Sequence, residues 1–260
     1  MEFSILGPVL VRSGGQDHAP SGAKQKTILA GLLMANEKLV SDEKLSTWLW
    51  GPRPPVTHSA QIYTHVSRLR KHVGADAEIV RQSSGYLLRL GSARFDHREF
   101  RRMAAQADRE LRAGDHRRAA ARLRAALQLW RGPALADTTD VLRDVHGPQL
   151  EEERISALEA RIDADLAMAD HRALVSELAG LVMMYPLRER LRAQFMIALC
   201  LGDRQGEALG VFWEGRRILA EELGIDPGPT LCRVHEAVLA GDREFPRMAR
   251  EIMAGAALAS

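Results

Sequence analysis

The sequence predicts a small α+β domain over residues 1–92, an all-α array over residues 95–242 and a tail over residues 243–260. Three observations predict this division. Short strand-like and helical segments alternate up to a Ser-Ser-Gly hairpin before Gly91, strand signals cease beyond Phe95, and Ala-, Leu- and Arg-rich helical segments then follow one another across short turns.

Taken in order, the run from Phe3 to Val11 reads as one or two short strands. A helix over residues 24–35 places Ile28, Leu29, Leu32 and Leu33 on an apolar side, and a second helix over residues 42–50 is capped by Ser41 or Asp42. Pro54 and Pro55 keep the next stretch extended, after which Thr57 or Ser59 caps a third helix that Gly74 ends. In that helix Ile62, Val66, Leu69 and Val73 fall at i, i+4, i+7 and i+11, one stripe of a 3.6-residue period that must face a core. The opposite side carries Ala60, Thr64, Ser67, Arg68 and Lys71, with Arg70 and His72 on its flanks. Residues 78–82 and 86–90 are two strands joined by Ser83, Ser84 and Gly85, the glycine being expected to supply a positive φ, with Arg81 near the tip.

A basic amphipathic helix beside a hairpin has the dimensions of a major-groove reader with a neighbouring phosphate contact. Its bland alternative is a surface helix with a solvated charged face. Charge distribution favours the reader: residues 1–94 hold 12 Lys+Arg against 7 Asp+Glu, a net of +5, whereas residues 95–260 hold 24 against 27, a net of −3.

Other chemistries find little support. Cys200 and Cys232 sit in apolar helical patterns without CxxC or CxxH spacing and read as small hydrophobes. No stretch approaches the ~18 apolar residues of a membrane span and no leader pattern is present, so the expected location is the cytoplasm, at the nucleoid. The nine histidines are scattered, and HExxH, GxSxG and GxxxxGK[ST] patterns are missing; no enzyme, metal or cofactor is expected.

Beyond Phe95, helices are predicted over residues 97–113, 115–131, 148–169, 172–185, 187–201, 205–223 and 229–239. Three turns look alike: Ala113-Gly114-Asp115, Ala169-Asp170 and Gly202-Asp203. The last two are 33 residues apart, near the ~34-residue tetratricopeptide period in which helix pairs bury their faces by stacking. Gly114 and Gly202 serve as helix breakers in this reading, and Ala208, Leu209 and Phe212 form one packed face.

Strands, three helices and a hairpin in this order resemble the OmpR/PhoB-type winged helix, a two-component-type effector domain; no acidic receiver sequence precedes it here, so control is expected to be independent of a phosphorelay. More closely, Ile5-Leu6-Gly7-Pro8, Lys24-Gln25-Lys26, Leu49-Trp50-Gly51 and Val66-Ser67-Arg68-Leu69-Arg70 resemble the Streptomyces antibiotic regulatory protein family. In the second region Phe95-Asp96, Leu129-Trp130-Arg131-Gly132, Pro186-Leu187-Arg188-Glu189 and the run from Glu222 to Pro229 resemble the bacterial transcriptional activation domain, a tetratricopeptide-like array.

The combined reading is a DNA-binding transcriptional activator. Thr64, Ser67, Arg68 and Lys71 are expected to enter the major groove, Arg68 to contact a base, Lys71 or Arg70 to contact phosphate, and Lys24, Lys26 and Arg81 to contact phosphates. The resemblance implies direct-repeat operators near the −35 region of antibiotic gene clusters, a head-to-tail homodimer on double-stranded DNA, and recruitment of RNA polymerase holoenzyme, with the loop Gly51, Pro52, Arg53, Pro54 and Pro55 as its contact. Two rivals stand beside it: a repressor or architectural binder that leaves polymerase alone, and a helical scaffold or ligand sensor working through protein partners.

Overall fold

The computed structural model describes residues 1–74, 76–168, 171–241 and 245. The predicted tail from residue 243 and the Ala169-Asp170 turn therefore lie outside the described residues, save for Phe245. The described chain is mostly helical with small sheets near its N-terminus. By packing it falls into two compact units, residues 1–105 with 124–156, and residues 106–123 with 157–260.

In the first unit, β1 (Glu2–Ser4), β2 (Leu10–Ser13) and β3 (Gln16–Asp17) form an antiparallel meander, and β7 (Arg94–Phe95) joins β1 in parallel. The helices α1 (Ala23–Met34), α2 (Asp42–Trp50) and α3 (His58–Val73) follow, and a second sheet has the order β4 (Val40–Ser41), β6 (Gly85–Arg89), β5 (Glu78–Gln82). Its register pairs Gln82 with Gly85, so the hairpin loop is Ser83-Ser84. Gly85 has no positive φ, contrary to the sequence expectation. Its smallness serves a close approach instead: a Cβ there would lie 2.0 Å from the Val40 carbonyl oxygen of β4.

Phe3, Ile5, Leu6 and Val11, together with Ile28, Leu29 and Leu32 of α1, are fully buried, as the apolar patterns require. At the start of α4 (Asp96–Arg112), the Asp96 carboxylate accepts N–H bonds from Ile5, Leu6 and His97 at 2.7–3.0 Å. Burial pushes its carboxyl upward, against the pull of those three donors.

The segment after α5 (His116–Leu127) explains why residues 124–156 pack with the N-terminal sheets. The Arg131 N–H donates to the Leu6 carbonyl at 2.8 Å and the Leu135 N–H to that of Ile5 at 3.0 Å. Asp137 accepts from the Val9 N–H at 2.8 Å, and the Thr139 hydroxyl donates to the Trp48 carbonyl at 2.6 Å. These non-local bonds stop α5 at Leu127, short of the predicted residue 131. Trp130 closes the segment edge-on to Phe100, ring centroids 5.4 Å apart. α6 (Asp140–Ala167) starts eight residues before Pro148, which lies inside the helix although sequence alone favoured it as a first-turn residue.

The second unit is built from the end of α4, most of α5, the end of α6, and α7 (His171–Met184), α8 (Glu189–Leu201), α9 (Gln205–Leu223) and α10 (Pro229–Ala240). Ile162, Leu178, Leu191, Met196, Ile197, Ala208, Phe212, Leu231 and Val234 form its core, with Leu209 packed against it at the edge. Gln194 bridges the Glu159 carbonyl and the Asp163 carboxylate, which Arg190 also holds. At the α8–α9 turn the left-handed residue is Asp203 (φ 59) and not Gly202 (φ −99), so the breaker role predicted for Gly202 moves one residue on. Cys200 and Cys232 are half-buried and unpaired, and burial pushes the Cys200 thiol up to about 11.

Candidate nucleic-acid interface

The site is built on α3, whose orientation is set by its apolar stripe. Ile62, Val66, Leu69 and Val73 are all buried to within 2% of complete exclusion. Burying four such side chains contributes on the order of 6–12 kcal/mol before entropy costs, ample to fix which side faces out. Thr57 occupies the N-cap position, but its hydroxyl makes no capping bond and instead accepts from the Gln61 side-chain amide at 3.0 Å. Gly74, at φ 62, closes the other end.

The outward side consists of Ser59, Ala60, Tyr63, Thr64, Ser67, Arg68 and Lys71, every one exposed. Thr64, Ser67, Arg68 and Lys71 are thus brought together on a single solvent-facing surface. Tyr63, 65% exposed, belongs to the same surface, a position the charge pattern along the helix did not single out.

Lys24 extends the cationic field from the first turn of α1. Its ammonium stands 4.7 Å above the Trp50 ring. His65 lies between two charges: burial holds its imidazole below the usual range, and Lys24 and Arg68 add to the depression.

Three of the predicted phosphate contacts are committed within the fold. Lys26 is bonded to Asp137 at 2.6 Å, largely withdrawn from solvent, and holds α1 to the segment after α5. Arg70 donates through Nε and Nη2 to the Ile79 carbonyl at 3.2 and 3.0 Å, tying α3 to β5. Arg81 makes a two-pronged pair with Asp42 at 2.6 and 2.7 Å while lying over the Tyr86 ring. These partners come from 9 to 111 residues away in sequence, which is why spacing within one helix could not reveal them.

The loop ahead of α3 exposes Pro52, Arg53 and Pro54, with Pro55 half-buried and Gly51 buried. Val56 beside them is fully exposed. Trp48 is buried and meets the His146 ring edge-on at 5.6 Å, in keeping with the packing role its type suggests. Among the described residues no group of three or more His, Cys, Asp or Glu side chains is placed to hold a metal, and no helix is long and apolar enough to cross a membrane.

Residues 95–239 match the family described as the bacterial transcriptional activator domain. Over 270 aligned positions the chain is 33% identical to regulatory protein DnrI of Streptomyces peucetius, covering 100% of this chain and 99% of that one. It belongs to the Streptomyces antibiotic regulatory protein family. Another member, regulatory protein AfsR of Streptomyces griseus, is 38% identical over 96% of this chain, which spans only 26% of that longer protein. The structure of Mycobacterium tuberculosis EmbR in complex with a low affinity phosphopeptide superimposes with a TM-score of 0.88 at 31% identity, covering 99% of this chain and 70% of that one. The family motifs fall on structural joints of the fold: Asp96 on the Ile5 and Leu6 N–H groups just after β1, Arg131 on the Leu6 carbonyl, and Lys26 on Asp137.

Proposed function

We propose that this protein is a sequence-specific DNA-binding transcriptional activator, pathway-specific for an antibiotic gene cluster and acting in the cytoplasm. The observation that carries this reading is the exposed surface of α3, where Thr64, Ser67, Arg68 and Lys71 stand together over a buried apolar stripe, with Lys24 adding charge alongside. A helix of 16 residues spans ~24 Å and fits the ~12 Å-wide major groove, where arginine pairs with guanine and hydroxyls pair with any base edge. In this reading α1–α3 and the β5–β6 hairpin are a winged helix with α3 as its recognition helix, and α7–α10 are the tetratricopeptide-like part.

Arg68 reads a base and Lys71 a phosphate, while Lys24 steers. Arg70 braces the wing, and Arg81 reaches phosphate only by exchanging Asp42 for it. The match of residues 95–239 to the bacterial transcriptional activator domain, and relatives named regulatory protein DnrI and transcriptional regulatory protein EmbR over nearly the whole chain, support activation over pure docking. The operator is a direct repeat near the −35 region bound by a head-to-tail homodimer, and the proline-stiffened loop 51–55 offers RNA polymerase holoenzyme a preformed surface.

Fluorescence anisotropy over a salt series tests the reading, using duplexes that carry direct repeats. Wild type is expected to bind with a steep salt slope, Lys71→Ala to lose ~0.9 of a unit of that slope, and Arg68→Ala to lose sequence preference. Binding that is weak, indifferent to salt and indifferent to both substitutions would sink it.

A further inference from the structure

The recognition surface of α3 changes chemistry along its length. Its C-terminal half presents Ser67, Arg68 and Lys71, all donors. Its N-terminal half presents Ser59, Ala60, Tyr63 and Thr64, and there the Thr64 hydroxyl is engaged within the helix. The Thr64 hydroxyl lies 2.9 Å from the Ala60 carbonyl oxygen. A carbonyl oxygen has no proton to give, so the hydroxyl is the donor and its single proton is consumed inside the helix. What Thr64 turns outward is a methyl group and spare lone pairs. Gln61 beside it is half-buried and spends one of its two amide protons on the Thr57 hydroxyl.

We infer that Ala60, Tyr63 and Thr64 select thymine through its C5-methyl group, an inference that rests on α3 being the DNA-reading helix. In the major groove guanine offers two acceptors, N7 and O6, and no apolar group, whereas thymine offers the single acceptor O4 beside its methyl; the committed Thr64 proton serves neither acceptor of guanine. Thymine alone presents a methyl group there, which packs on the alanine and threonine methyls and the tyrosine ring, shedding water from carbon on both sides. Thr64 and Arg68 are one turn apart, ~6 Å along the helix, so the thymine lies within about two base pairs of the base Arg68 reads. Adenine and cytosine, which could donate an amino proton to the Thr64 lone pairs, are the competing choice.

The test selects binding sites for the full chain from a random duplex library, then replaces thymines in the selected site by deoxyuridine, which deletes the methyl group and leaves every hydrogen-bonding atom in place. A thymine near the Arg68-dependent base is expected, with about a three- to fivefold loss of affinity on its replacement, as for one buried methyl. Thr64→Ser, which keeps the hydroxyl and removes the methyl, loses a similar factor on thymine DNA and nothing further on uracil DNA; Thr64→Val retains wild-type affinity and the full uracil effect. Selection of adenine or cytosine at that place, or equal affinity for thymine and uracil sites, overturns the inference and leaves DNA reading intact. Enrichment of no sequence at all overturns both.

Discussion

The Lys26 ammonium donates to Asp137 at 2.6 Å while the other Asp137 oxygen accepts the Val9 N–H, so one carboxylate joins α1, the β1–β2 connection and the segment after α5. Removing that carboxylate strands a partly buried cation and a backbone donor together. Asp137→Ala is expected to lower folding stability by about 2–3 kcal/mol, and Lys26→Met by about 1 kcal/mol, in urea denaturation. Because the Lys26 charge is spent inside the fold, Lys26→Met should leave the salt slope of DNA binding unchanged. A slope reduced by about one unit would return Lys26 to the phosphate contacts.

Arg81 and Asp42 make the opposite case, an exposed pair with a charge in reserve. Their side chains retain 44% and 29% of their exposure, so the pair itself adds under ~1 kcal/mol to stability. Asp42→Asn weakens the hold on Arg81 while Ser41, whose hydroxyl accepts the Lys44 N–H, continues to cap α2. Affinity for DNA is expected to rise about two- to fivefold at low salt, with the salt slope steeper by ~0.9. Adding Arg81→Ala to that variant should erase the gain; a gain that survives would show that Arg81 has no phosphate contact.

Gly85 is fixed by its neighbour across the sheet. An alanine Cβ would fall 2.0 Å from the Val40 carbonyl oxygen and 2.8 Å from the Ser41 Cα, both backbone atoms that cannot swing aside. β4 leads directly into α2, and the Asp42 N–H donates to the Ser84 carbonyl at 2.9 Å, so displacement of β4 moves the start of that helix as well. Gly85→Ala is expected to cost about 3 kcal/mol in chemical denaturation. Substituting Ser84, which is exposed and outside any strand, should cost under ~0.5 kcal/mol and serves as the control.

These residues mark what the sequence could and could not disclose. The 3.6-residue stripe of α3 was legible because burial follows period, and all four predicted core positions are buried. The bounds of α2 and α9 were equally plain, Gly51 and Gly224 ending them with positive φ. Illegible were features decided by partners distant in the chain. Nothing local says that residues 131–139 will stitch themselves to Leu6, Val9 and Trp48, or that Asp42 will hold Arg81. Pro148 misled for a related reason: a proline's missing N–H favours a first turn, yet the helix tolerates it in the interior. Of the outward α3 surface, the cations were evident from charge alone, whereas the committed hydroxyl of Thr64 required its 2.9 Å contact to be seen.

The depressed pKa of His65 makes folding sensitive to pH, and under the proposed DNA-binding role of α3 it makes binding sensitive with the opposite sign. Burial first, then Lys24 and Arg68, lower its pKa from the usual 6.5, and burial lowers His146 likewise. Below about 6.5 the unfolded chain therefore takes up protons that the folded protein refuses, so stability falls as pH drops through that value and levels off below the folded pKa. Thermal denaturation is expected to show a lower melting temperature at pH 5.5 than at pH 7.5, a difference that shrinks in His146→Gln. A base acceptor against Arg68 and the nearby backbone phosphates facing Lys24 would offset the two charges that repel a proton on His65, raising its pKa in the complex. Binding then takes up protons, and affinity measured well below the melting temperature should rise as pH falls from 7.5 to 6.0. His65→Gln should flatten that rise; a rise that persists in the variant would place the proton uptake elsewhere.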